Sequence, residues 1–294
     1  MKCLQRVCCW FAGWLFAVVY LLLLPGCEEV GPAINLGKNS STVSDTTYVE
    51  LPAPAAEAKN VLIEEFTGVR CPNCPQGHDK ITTIKANHPG RVVSVSLHPI
   101  NSLGHPYPFS AQDLTNQEAQ TLFDYLGQIG IQPAAGIDRM LFSGETKILL
   151  DRSKWESRVN QQINAPTPVN LSLSKTYDAD KRELKIVAEL RYTSDVSELN
   201  KLTVMLTESN IVTAQLDGSE IDTFYVHKDV MRDVVSETQG DLLNAPLVAG
   251  RVFRKVYRQT LAPAWKPENM HIVAFVHEYV NSKKVYQVKK INVQ

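Results

Sequence analysis

Val61-Leu62-Ile63-Glu64-Glu65-Phe66, a short apolar run read as a buried strand, leads through a brief loop into Cys71-Pro72-Asn73-Cys74 and a helical stretch reaching about Asn87. That order constrains the fold more than any other feature, because a buried strand feeding directly into a helix opens an α/β unit. Two Cys three apart at a helix start lie one turn apart on the same face, so their sulfurs can close a disulfide without distant chain. Free N–H groups and the positive end of the helix converge near the first Cys and favour its thiolate. Arg70 adds positive charge, and Pro72 suits the first helical position. A second Pro at 75, followed by Gly77, predicts a loosened first turn.

Further along, Arg91 to Leu97 alternates and reads as a second strand, Asp113 to Leu126 as a helix, Ile137 to Phe142 as a third strand. Asp151 to Ile163 reads as a further helix, capped by Asp151 or Ser153. Beyond Pro166 the period changes to two: Val169–Ser174, Leu184–Leu190, Leu202–Leu206 and Ile272–Val276 alternate, with a hairpin turn at Asp178-Ala179-Asp180. The pattern between Asp217 and Met270 is looser. The expected fold class from this order is a small α/β domain over 59–165, followed by an antiparallel β-sandwich of immunoglobulin-like type over 166–294.

Four of the six Cys (Cys3, Cys8, Cys9 and Cys27) fall in the first 27 residues. Lys2 and Arg6 give a basic start, an apolar stretch runs from Val7 to Leu24, and Pro25-Gly26-Cys27 follows. This is the order of a secretory signal, and its end resembles the lipobox of bacterial lipoproteins. In that motif the peptide is cut before the Cys and the thiol carries diacylglycerol; Pro25 departs from the usual residue. The alternative is an uncleaved membrane helix, since the stretch is just long enough to span a bilayer. The expectation is a signal peptide over 1–26, lipidation at Cys27 and a flexible tether over 27–58, with a reach of roughly 30 Å. Glu28-Glu29 resembles the acidic patch that sends some bacteroidete lipoproteins to the cell surface, and the membrane face stays open. Lys plus Arg is 30 against 31 for Asp plus Glu, so no charge surplus exists to hold nucleic acid.

The segment Leu62 to Pro75 resembles the opening of the thioredoxin fold in periplasmic disulfide oxidoreductases, although no Trp precedes Cys71. The resemblance implies that Glu65 is the buried acid beneath the disulfide, able to take the Cys74 proton when a mixed disulfide resolves. It implies a cis-Pro facing the pair, for which Pro133 in Gly130-Ile131-Gln132-Pro133 is the candidate. From about residue 57 to 294 the chain also resembles the 28-kilodalton outer-membrane protein family of bacteroidete bacteria. Glu-Glu-Phe-Thr-Gly-x-x-Cys-Pro-Asn-Cys-Pro, Gly136-Ile137-Asp138-Arg139, Tyr225-Val226-His227 with Arg232, and the late runs 272–276 and 285–288 carry that likeness. It implies a surface-associated lipoprotein with a thioredoxin-like domain; members have been regarded as adhesins.

The expected activity is thiol–disulfide exchange, with Cys71 attacking, Cys74 resolving, Glu65 handling the proton and Pro133 presenting backbone to substrate. No cofactor is called for. Expected partners are the membrane, through acylated Cys27, and exported proteins or a redox partner. The rival is a binding or adhesion protein in which the fold is a scaffold and Cys71–Cys74 a structural disulfide. As a staple, a bond closing so short a loop is weak. A zinc site would need two more ligands from His78, His88, His98 and His105. Tyr107 and Phe109 either flank a groove or pack a loop; Arg139 either pairs internally or holds a substrate carboxylate. His98 follows the second strand, at the edge where α/β sites gather, and reads as a site residue or a satisfied structural one; His227, Arg232 and Trp265 read as loop packing or as a partner face.

Overall fold

In the computed structural model, residues 41–294 are described; the signal segment, the lipidation candidate Cys27 and the first part of the expected tether lie outside the described residues. In chain order come β1 (Ser41–Val49), β2 (Val61–Phe66), α1 (Cys74–Asn87), β3 (Val92–Leu97), α2 (Gln117–Leu126), β4 (Ala134–Ile137), β5 (Leu149–Asp151) and α3 (Arg152–Gln162). The second half is nearly all strand: β6 (Val169–Asp178), β7 (Glu183–Tyr192), β8 (Asn200–Glu208), β9 (Ile211–Val212), β10 (Gln215–Asp217), β11 (Glu220–Asp222) and β12 (Val226–His227). It ends with β13 (Val230–Val234), β14 (Asp241–Leu242), β15 (Arg251–Thr260), β16 (Met270–Glu278) and β17 (Val285–Asn292).

Local chemistry explains the helix boundaries. The Asn116 side chain accepts the Glu118 and Ala119 N–H groups at the start of α2, and Gly127 closes it with φ 80°. The helix therefore begins four residues later than its sequence pattern predicts, and Leu114 is buried in a separate cluster with Val69, Ile211 and Val230. Asp151, rather than Ser153, caps α3 by accepting the Ser153 N–H. The third strand is displaced from its expected span: it is Ala134–Ile137, because Asp138 and Arg139 turn the chain at positive φ.

β2 pairs parallel with β3 and antiparallel with β4, which pairs antiparallel with β5. The sheet does not stop at the expected boundary near 165. β13 joins β3 in parallel, with Val230 opposite Ser96, and carries the pairing onward to β8, β16 and β17. The first half and one layer of the second thus share a nine-stranded mixed sheet. The other layer, in the order β1-β15-β7-β6, is a four-stranded antiparallel sheet. Its first strand corrects the flexible-tether expectation: residues 41–49 pair along β15 from Ser41 opposite Arg258 to Val49 opposite Arg251. Further anchors follow, from the Glu57 N–H to the Asn170 side chain and from Lys59 Nζ to Asp138 at 2.8 Å.

Alternation along the shared sheet separates the cores. Val61 and Ile63 pack against Ile81 and Ile84 of α1 and Trp155 and Val159 of α3. Leu62 and Phe66 point the other way, onto Leu122 and Phe123 of α2. Across the chain, Met205, Val273 and Phe275 continue that face, whereas Leu202, Val204, Leu206, Ile272 and Ala274 face Ile186, Leu190, Phe253 and Tyr257 of the four-stranded sheet. Each fully buried aliphatic or aromatic side chain contributes about 1.5–3 kcal/mol. Among the described residues, no helix is long and apolar enough to cross a membrane.

Candidate functional site

Cys71 and Cys74 are joined in a disulfide, 1% and 0% exposed. The helix begins at Cys74, so Cys71 to Asn73 form the turn that precedes it, closed by the Cys74 N–H donating to the Cys71 carbonyl. This later start accounts for Pro75. It occupies the second position of α1, where no N–H is required, and the first turn is not loosened. Gly77 answers a different demand. A Cβ there would stand 2.6 Å from Glu65 Oε1 and 2.8 Å from Pro133 Cγ, so only a bare Cα lets α1 approach both.

That approach brings the four expected residues together. Gly77 lies one turn beyond Cys74 on the same helix face, and the Glu65 carboxyl packs against that face. The Gln132–Pro133 peptide is cis, and Pro133 lines a groove of about 390 Å³ with Cys71, Leu103, Ile131 and Arg152. Glu65 sits in β2 between Ser96 of β3 and Ala135 of β4 and is fully buried. Burial pushes its carboxyl up to about 8, against a 3.5 Å hydrogen bond donated by the Ser96 hydroxyl and with help from the Asp229 charge. Its Oε1 has no hydrogen-bond partner. At neutral pH this carboxyl is mostly protonated, and the ionised fraction that can take a thiol proton grows as pH rises toward 8.

The C-terminal half covers the site, which local sequence did not reveal. Leu216 and Gly218 donate backbone N–H groups to Val69 and Pro72, and the buried Gln215 amide donates to Gly68 and Cys71. This strap belongs to the hairpin of β10 and β11, flanked by the pairing of β9 with β12. Phe224, between β11 and β12, is 79% exposed. On the other side, Arg70 bonds the carbonyls of His105 and Pro106 and lies over the Tyr107 ring, which stacks on exposed Phe109.

Below the strap His78, His98, Tyr225 and His227 form a cluster, with His227 4.8 Å from Tyr225 and 5.9 Å from His98 between ring centroids. His78 bonds Tyr225 at 2.6 Å and Thr67 at 3.1 Å, and its Nε2 is 3.7 Å from Glu65. Burial lowers His78 to about 3 and His227 to about 4, and pushes His98 down as well, so all three rings are neutral. The zinc alternative is corrected: the thiols are spent in the disulfide, and among the described residues no three His, Cys, Asp or Glu side chains are disposed to hold a metal. His88 turns away to Asn160. Arg139 forms a fully buried two-pronged pair with Glu64 at 2.6 and 2.7 Å and is not available to a substrate carboxylate. Arg232 is held by Glu208 and Gln112, and Trp265 packs against the core between the sheets.

Comparison with protein families matches the outer membrane protein Omp28 family over residues 119–294, more than half of the chain; the match starts within α2, beyond the Cys pair. A comparison with curated proteins finds no match. Among solved structures, HBP35 of Porphyromonas gingivalis superposes with a TM-score of 0.66 at 18% identity, covering 81% of this chain and 76% of that one. Protein AGR_C_4864 from Agrobacterium tumefaciens gives a TM-score of 0.49 at 14% identity, over 82% and 97% of the two chains. The likeness to HBP35 is one of fold.

Proposed function

From the premise that this chain belongs to the outer membrane protein Omp28 family, we propose that it is a lipid-anchored envelope protein that exchanges thiols and disulfides with exported proteins. In this reading β2, α1, β3, β4, β5 and α3 are a thioredoxin-like unit, and the two sheets of the second half are a sandwich fused to its edge. The observation that carries it is the convergence of a Cys71–Cys74 disulfide and a cis peptide before Pro133 around one groove, with a buried Glu65 whose carboxyl is raised to about 8 packed against Pro133 at Gly77. Cys71, which lines the groove, is the attacking thiolate; Cys74, inside the helix, resolves; Glu65 takes its proton; Pro133 ends the segment along which an extended substrate lies. Cys27 carries the lipid. Labelling the native chain and a Cys27→Ala variant with a radioactive fatty acid tests the anchor, and equal labelling of both refutes it.

The test of the exchange reading is the reduction potential of the pair, read by thiol alkylation across a dithiothreitol series on the full chain. A midpoint above about −270 mV supports exchange, and one below about −300 mV marks a structural bond. One observation favours the second reading, a surface-binding protein with a locked disulfide: Cys71 is 1% exposed beneath the strap. In that case a Cys71→Ala, Cys74→Ala chain keeps its binding.

A further inference from the structure

Glu65 is closed in by β3 on one side and β4 on the other, but not beneath. There it faces a polar cavity of about 90 Å³, which is room for several waters. Thr82 and Lys85 of α1 and Ser94 and Ser96 of β3 form one wall; Tyr225, Val226, Lys228 and Asp229 form the other. Thr82, Val226 and Lys228 are exposed, so the cavity opens at their end. Ser94 donates to Asp229 at 2.6 Å, Lys85 pairs with it at 2.9 Å, and Lys290 reaches it from β17. The second wall comes from residues more than 120 positions beyond β3, brought in by the insertion of β13 beside Ser96.

Resting on the exchange reading, we propose that this cavity is the route by which Glu65 passes its proton to solvent, and that Asp229, supplied by the C-terminal half, is the positioning residue that holds a fixed negative charge on that route. The chemistry requires such a route. When the reduced pair attacks a disulfide, the Cys71 thiolate forms a mixed disulfide and the first substrate thiolate leaves to be protonated by water. The Cys74 thiol then gives its proton to Glu65 in its ionised form, which has first released its resting proton to solvent, and attacks Cys71 Sγ. The Cys71–substrate bond breaks, the second thiolate leaves, and the pair is oxidised as the substrate is reduced. Glu65 is left holding a proton with no hydrogen-bond partner on Oε1, and Ser96 is its link to the cavity.

The charges facing that acid are Asp79 and Lys85 from α1, Lys228 and Asp229 from the C-terminal half, with His78 neutral. Burial alone would raise the Asp229 carboxyl, but Lys290 and Lys85 outweigh it and keep Asp229 ionised. Its charge opposes ionisation of Glu65, adding to the larger effect of burial.

The test uses the reduced full chain and dithiodipyridine, which releases one coloured thiol on attack and a second on resolution. The second phase is expected to show an inflection near pH 8 in the native protein. Asp229→Asn should lower that inflection by about half a pH unit or more. Thr82→Trp, at an exposed position on the rim, should slow the second phase about fivefold or more at an unchanged first phase. If both variants match the native protein, the proposal is overturned while exchange stands. If the reduced native chain does not attack the probe, the exchange reading fails. Carbon NMR titration of the Glu65 carboxyl in the oxidised protein then still decides the role of Asp229, and an unmoved midpoint in Asp229→Asn overturns it.

Discussion

Gln215 donates its side-chain amide to the Cys71 carbonyl at 3.2 Å across 144 positions of sequence. With the bonds from the same amide to Gly68 and from the Leu216 and Gly218 N–H groups, the strap satisfies carbonyls on both sides of the first Cys. Gln215→Ala leaves two of them without that donor, at a cost of about 1–3 kcal/mol. The expected result is a lower urea midpoint at unchanged m-value and a severalfold faster reduction of the disulfide by dithiothreitol. Equal reduction rates would show that the strap does not govern access to the sulfurs.

Gly77 predicts a second effect. In Gly77→Ala the new methyl would enter the space held by Glu65 Oε1 and the Pro133 ring, and both are packed in place. Overpacking of this kind costs about 1–3 kcal/mol, more than the gain in helix propensity returns. Because the methyl displaces the acid, the pH inflection of Cys74 reactivity should move as well. An Ala variant as stable as the native chain would mean that α1 is not tied to the cis-proline.

The pair of Glu64 and Arg139 is fully buried, and Arg139 also lies over the Phe275 ring. Removing one partner strands the other charge, which costs about 3–5 kcal/mol. Glu64→Gln and Arg139→Met should each lower the melting temperature strongly, while the double variant recovers part of the loss. A strictly additive double variant would refute coupling between them.

What was legible in the sequence was what a short window carries. The strand before the Cys pair and the alternating runs of β6, β7, β8 and β16 lie where their local patterns put them, whereas the burial of Glu65 and the cis bond at Pro133 were expected only from the resemblance to disulfide oxidoreductases. β13 was not legible. Val230-Met231-Arg232-Asp233-Val234 is short and breaks alternation, and it is a strand because it fills the space between β3 and β8. β1 is rich in Ser, Thr and Asp; the exposed edge of β15 and the Asp45–Lys255 pair make it a strand. Gln215, Tyr225 and Asp229 reach the site only through those long-range pairings, so no spacing could announce them. His78 had a local signal, since it follows Cys74 by four and shares its helix face.

The buried titratable groups give stability a maximum on the pH axis. Glu65 is raised from an ordinary 4.5 to about 8, chiefly by burial. Between those values the native chain keeps a proton that the unfolded chain has lost, so Glu65 makes stability fall as pH rises, by up to about 1.4 kcal/mol per unit. His78 and His227 run the other way. They are lowered from 6.5 to about 3 and about 4, again chiefly by burial, and below 6.5 the unfolded chain binds protons that the native rings refuse. Each therefore costs up to about 1.4 kcal/mol per unit as pH falls, and two such slopes outweigh the single opposing slope of Glu65. Considering these three groups, stability peaks near the ordinary histidine range and declines on both sides. Urea unfolding of the oxidised protein across that range is the check. Glu65→Gln should flatten the alkaline limb up to about pH 8 and steepen the acid limb above about pH 4.5, where its opposing slope is lost, and His227→Gln should shallow the acid limb alone. An alkaline limb that survives Glu65→Gln unchanged would mean that Glu65 is ionised at neutral pH, and the inflection near pH 8 expected for Cys74 reactivity would have to come from another group.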